Sequence, residues 1–159
     1  MPEITILGEK FQIEFSDNHF VKPKVVKYEN KLIVHKGETS SLSHKNILLL
    51  WLKKESKEFI QRRTKAFGAA YNFEFKKVAI RDQSTRWGSC SSDGNLNFNW
   101  RLYLAPVEIL DYVIIHELSH TRQMNHSDKF WSIVESILPD YKQRRKSLRD
   151  IESYLKKVI

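Results

Sequence analysis

The sequence holds a single cysteine, Cys90, which excludes an internal disulfide and points to a reducing compartment. Long apolar runs are missing as well. The longest candidate, Ile47–Leu52, is stopped at once by Lys53 and Lys54, well short of the roughly 20 residues that a membrane helix needs. The opening Met-Pro-Glu-Ile-Thr has neither the basic start nor the apolar stretch of a secretory signal. A cytoplasmic protein without a membrane partner is therefore expected. Internal repeats and low-complexity tracts are also lacking, so nothing marks a linker at which the 159 residues would divide. Acidic residues are in deficit, 19 against 27 Lys and Arg, for a formal charge of +8. Such an excess can attract nucleic acid or acidic surfaces, although a solvated basic surface has the same composition. Nucleic acid is thus a candidate partner class and no more.

What is present fits one globular domain. Apolar residues make up 41% and charged residues 29%, and a chain of this length can bury a real core. Over residues 1–40, Phe11, Ile13 and Phe15 alternate, then Leu32 and Val34, with turn-like breaks at Ser16-Asp17-Asn18 and Glu29-Asn30. This predicts a small β-meander. Ser40, Ser41 and Ser43 are candidate caps for a helix over 41–72, whose Leu48, Trp51, Leu52, Phe59 and Phe67 form one apolar stripe. Residues 75–102 return to strand character, with Ser91-Ser92-Asp93-Gly94 as a hairpin turn. Beyond it, Leu96, Phe98 and Trp100 alternate with Asn95, Asn97 and Asn99. A strand with one amide face is expected at the border of a sheet or beside a cleft. Residues 105–159 read as three helices: one from Pro106 to about Met124, one after Ser127, and a basic one beyond Pro139. The expected fold is a single α+β domain with a small mixed sheet and C-terminal helices.

The chemistry lies in His116-Glu117-Leu118-Ser119-His120. Residues four apart share a helical face, so two imidazoles can converge on one Zn²⁺ at roughly 2.0–2.1 Å. Glu117 lies about 100° round from His116, placed to act as general acid/base on a metal-activated water without itself being a ligand. Val107, Leu110, Ile114 and Leu118 fall opposite the histidines, while Ile109, Tyr112 and Val113 share their side. One face should enter a core and the other line a cleft. A catalytic zinc site has three protein ligands and an open corner. His126 is the first candidate for the third ligand, with Glu135 and Asp128 as rivals. Its six-residue spacing from His120 matches the metzincins, but Gln123 stands where they use glycine. No Met follows Met124, so a Met-turn is excluded. His19, His35 and His44 have no ligand-like spacing.

Several motifs in order carry a family resemblance: Arg86-Trp87-Gly88-Ser89-Cys90, Gly94-Asn95-Leu96-Asn97-Phe98-Asn99, His116–His120, and Asn125-His126-Ser127 with Phe130-Trp131. Over about residues 80–141 the chain resembles the YgjP-type metallopeptidases, relatives of the SprT-like and WLM zincins. The resemblance implies a zincin-like core, zinc on His116, His120 and His126, and Glu117 as catalytic acid/base. It supplies no substrate. Arg86 is a candidate for stabilising an oxyanion, or for a salt bridge from hairpin to helix. Cys90 reads as a structural thiol. The expected function is peptide or protein hydrolysis, with an extended peptide added to the strand Asn95–Asn99. The alternative is a module, or a protease, recruited to nucleic acid by its basic surface.

Overall fold

Alternating apolar residues at the N-terminal end do form strands. In the computed structural model, which describes residues 2–17, 22–37 and 41–158, β1 spans Glu3–Ile6, β2 Glu9–Ser16, β3 Lys24–Tyr28 and β4 Lys31–His35. They do not make the expected meander. The order is β1-β2-β4-β3, two antiparallel hairpins joined by a parallel pairing that sets Ile13 beside Leu32 and Phe15 beside Val34. Alternation specifies which side chains face inward but not which strand lies alongside. Ile4, Ile6, Phe11, Ile13, Leu32 and Val34 are buried on one face, whereas Phe15, near the end of β2, is 51% exposed. Asn18, His19 and Ser40, named above as turn, histidine and cap residues, lie outside the described residues.

Helix α1, His44–Tyr71, begins where Ser43 Oγ accepts from the Asn46 amide at 3.1 Å and ends at Asn72 in the left-handed region. Its inward seam is Ile47, Leu48, Leu52, Ser56, Ile60, Thr64 and Gly68. Trp51, Phe59 and Phe67 flank the seam and are only partly buried. Ser56 stays polar inside because its hydroxyl donates to the Trp100 carbonyl at 2.8 Å.

The second sheet contains β5 (Lys77–Arg81), β6 (Gly88–Cys90) and β7 (Asn95–Asn99) in the order β5-β7-β6. The asparagine strand is central, paired with β5 in parallel and with β6 in antiparallel. It is not at the border. Trp100 leaves the strand and opens a short 3₁₀ turn, Trp100–Leu104. Three helices follow: α2 (Val107–His120), α3 (Asp128–Ile137) and α4 (Tyr141–Lys157).

Helix α2 is packed by α3, α4 and β6. It is buried almost all round, including Ile109, Tyr112 and Val113 on the histidine side. Even Asp111 is covered, its carboxylate taken by Arg63, with Nη2 at 2.7 Å from Oδ2. The helix stops at His120, a turn short of Met124. Thr121 Oγ1 donates to the Leu118 carbonyl at 2.6 Å, and the Arg122 and Gln123 amides both return to Ser119. This early stop frees residues 121–127 to loop back toward the helix that they leave.

Candidate metal centre

His116 and His120 project from the same side of α2, four residues apart, with ring centroids 4.9 Å apart. His126 reaches them from the loop. The next residue, Ser127, caps α3 by accepting from the Phe130 amide at 3.4 Å. Phe130 is fully buried and touches all three imidazoles, stacking on His120 at 4.3 Å. Trp131 stacks on His126 at 5.9 Å. The aromatic floor thus comes from the first turn of α3, immediately after the residue it supports.

The three Nε2 atoms converge. His126 Nε2 lies 3.1 Å from His120 Nε2 and 3.3 Å from His116 Nε2. Two nitrogens bound to one tetrahedral zinc at about 2.05 Å would stand about 3.3 Å apart, so the set fits such an ion. Donor chemistry agrees. His120 Nδ1 lies 3.0 Å from the Gln123 carbonyl, which can only accept. The proton is therefore on Nδ1, and Nε2 offers a lone pair to the centre. Burial, with the neighbouring His120 and His126 and then Arg145, lowers His116 to about 3. Burial also lowers His120. Both are held in the neutral form that a metal requires. Among the described residues these three form the group of donors able to hold an ion. The rivals Asp128 and Glu135 are exposed and stand outside it.

Glu117 points to another side of α2, 6% exposed, beside a cavity of about 180 Å³ walled by Trp87, Gly88, Tyr112, Val113, His116 and Leu148. Burial raises its carboxyl to about 8, against the opposing charge of Arg86. Gly88 is required by proximity. A Cβ there would stand 2.9 Å from Glu117 Cγ and 3.0 Å from Oε2. Trp87 is anchored by its indole N–H, which donates to Glu152 Oε1 on α4 at 3.1 Å.

The remaining candidates have other surroundings. Arg86 is exposed and makes no ion pair with a described residue. Its carbonyl accepts from Asn99 Nδ2 at 3.1 Å. Asn99 also donates to Gln83 O at 2.7 Å and accepts from the Arg101 amide at 3.0 Å. Asn97 accepts from Arg81 Nε and donates to Ser89 Oγ. The Asn95 amide donates to Ser91 Oγ. These contacts brace the loop and hairpin. Both edges of β7 are already paired, so β-addition of a peptide to Asn95–Asn99 has no edge to use, which corrects that expectation. Cys90 is half-buried and outside the histidine group. Burial, then Glu117, raises its thiol to about 11. Tyr112 and Val113 line the cavity, as their place on the histidine side of the helix led one to expect; sequence reasoning missed the Trp87–Glu152 tie and Arg145. Nothing in the spacing singles out one arginine in a basic helix.

A model of the YgjP-like family, described as a metallopeptidase domain, matches residues 2–151. No curated protein matches. Among solved structures, the chain is similar to the metallopeptidase zymogen of Pyrococcus abyssi abylysin at 20% identity, with a TM-score of 0.46 over 64% of this chain and 92% of that one.

Proposed function

This chain belongs to the YgjP-like metallopeptidase family, and from that premise we propose that it is a zinc peptidase with His116, His120 and His126 as ligands and Glu117 as acid/base. The convergence of three imidazole Nε2 atoms, at 3.1 and 3.3 Å, carries the reading. Three ligands leave a corner open, as catalytic zinc requires and a four-ligand structural site does not. When bound, zinc polarises the scissile carbonyl and lowers the pKa of the attacking water.

The chain's own residues do the rest. The Glu117 carboxylate takes a proton from the water and returns it to the leaving amine nitrogen. Burial raises this carboxyl to about 8 in the metal-free protein; the charge of a bound divalent cation would draw it back toward the ionised form that accepts the proton. Trp87, Tyr112 and Leu148 give the cavity apolar walls beside the carboxyl. Arg86, an exposed cation whose charge acts on Glu117, is the candidate for stabilising the oxyanion as it develops. Of the β7 asparagines, Asn99 enters only by bracing the loop that carries Arg86.

Imidazole also suits nickel, copper and iron, so metal analysis of protein made without chelator or histidine tag is the direct test. One zinc per chain is expected, and none in His120→Ala. Full zinc content in that variant would overturn the assignment. A peptide-library digest should show cleavage that falls about 10²–10⁴-fold in Glu117→Gln.

A second reading concerns recruitment. Lys53, Lys54, Lys57 and Arg81 line one groove of about 360 Å³ together with Asp82, which pairs with Lys53 at 2.8 Å, separate from the residues that wall the Glu117 cavity. That groove supports a nucleic-acid partner held through phosphate contacts. Binding of DNA by Glu117→Gln protein should weaken steeply with salt. No binding at moderate salt removes this partner class.

A further inference from the structure

Arg145 on α4 is a guanidinium without a partner. Its Nε is buried and makes no hydrogen bond, and no carboxylate among the described residues pairs with it. Its neighbour Arg144 is fully engaged, with Nε on Asp140 at 2.9 Å and Nη1 on the Glu108 carbonyl at 3.1 Å. A covered polar group left unpaired costs free energy, so its retention calls for a ligand.

Position supplies one. Arg145 lies one turn before Leu148, which walls the Glu117 cavity, and two turns before Glu152, which holds Trp87 at its rim. All three therefore share the side of α4 that faces the site. The guanidinium carbon sits 5.0 Å from the Trp131 ring and 5.9 Å from that of Tyr141. Trp131 in turn contacts His116 and His126 at 5.7 and 5.9 Å. A single ring separates the cation from the imidazoles. Contact with that ring holds the guanidinium and covers Nε, so the terminal Nη groups are the ones left to meet a ligand, and their planar arrangement matches a carboxylate.

We propose that Arg145 binds a carboxylate of the substrate, so that this site takes peptides with an acidic side chain or a free C-terminus within one or two residues of the scissile bond. The proposal rests on the peptidase reading for the location of that bond. Recognition itself needs only the arginine, which lies beside the residues that wall the cavity rather than among them.

The test uses metal-loaded protein and one peptide series with Glu, Gln or Lys at each position flanking the cleaved bond, each with a free or an amidated C-terminus. Carboxylate-bearing members should be cleaved at least about tenfold better than their amide counterparts, the size expected for a charge-assisted contact. Arg145→Ala should erase that preference through KM, so that Glu and Gln peptides are then cleaved alike, with metal content measured on the same protein. Arg145→Lys, which keeps the charge without the fork, should restore part of it. A preference for Glu with either terminus assigns the side chain; a preference for the free acid regardless of side chain assigns the chain end. Cleavage with no preference, or a preference that survives Arg145→Ala, overturns the proposal while the peptidase reading stands. Binding of the same peptides to Glu117→Gln protein separates the two claims. If nothing is cleaved, tighter Arg145-dependent binding of carboxylate peptides upholds this inference, and equal binding of acid and amide overturns it.

Discussion

At the scale of single residues, the site depends on how closely Glu117 is fitted. Gly88 is the partner with least tolerance, since an added methyl would stand 2.9 Å from Glu117 Cγ. Gly88→Ala should lower stability by about 1–3 kcal/mol through overpacking. Peptidase turnover should fall further than that loss explains, because the carboxyl must move, while zinc content stays at the wild-type level. A variant as active as wild type would show that Glu117 needs no such clearance. The two buried groups also make opposite pH predictions for metal-free protein. The folded pKa of Glu117 is raised, from 4.5 to about 8. Its contribution is full below 4.5 and lost as pH rises through about 8. That of His116 is lowered, from 6.5 to about 3. Its contribution is full above 6.5 and lost as pH falls toward 3. Thermal melts from pH 5 to 9 should therefore show Glu117→Gln gaining on wild type as pH rises. Parallel curves would contradict the burial of this carboxyl in the metal-free state.

At the scale of elements, the early stop of α2 and the cap of α3 work as a pair. The first releases the loop that carries His126, and the second fixes that loop one residue later at Ser127. Ser127→Ala should cost about 1 kcal/mol as a lost cap. It should also weaken zinc binding about tenfold, as outer supports of metal ligands do. Ser43 caps α1 in the same way, away from the site. Ser43→Ala therefore serves as the control, with a similar fall in Tm and no change in zinc affinity. If both variants bind zinc equally, the Ser127 cap does not position His126. The elements themselves were largely legible. Ser43 and Asn72 bound α1, Ser127 starts α3, and Ser91–Gly94 separates β6 from β7, because caps and turns are local chemistry. Pairing was not legible. Asn95, Asn97 and Asn99 alternate correctly, yet their strand is central, because its neighbours β5 and β6 are chosen by contacts that alternation does not encode.

At the scale of the whole molecule, the metal centre is joined to the core rather than placed on a loop. Helix α2 carries two of the three converging imidazoles and is buried almost all round, so a metal held there would couple its binding to global unfolding. Zinc in 100-fold excess over its Kd should add about 2.7 kcal/mol of stability. Chelation should lower Tm accordingly in wild type and Glu117→Gln, and leave His120→Ala unmoved. A Tm indifferent to zinc in wild type would mean that these imidazoles do not bind it. Among the described residues no helix is long and apolar enough to cross a membrane. The sequence by itself determined what a helix repeats locally: His116 and His120 one turn apart with Glu117 beside them, because 3.6 residues per turn leaves them no other arrangement. Tertiary structure decided what that period cannot reach. It brought His126, rather than Glu135 or Asp128, beside the two helix histidines, made the clearance at Gly88 that admits Glu117, and set Arg145 one ring from the imidazoles. Each of these depends on segments brought together by packing, and the free energy of such packing resides in no single stretch of chain.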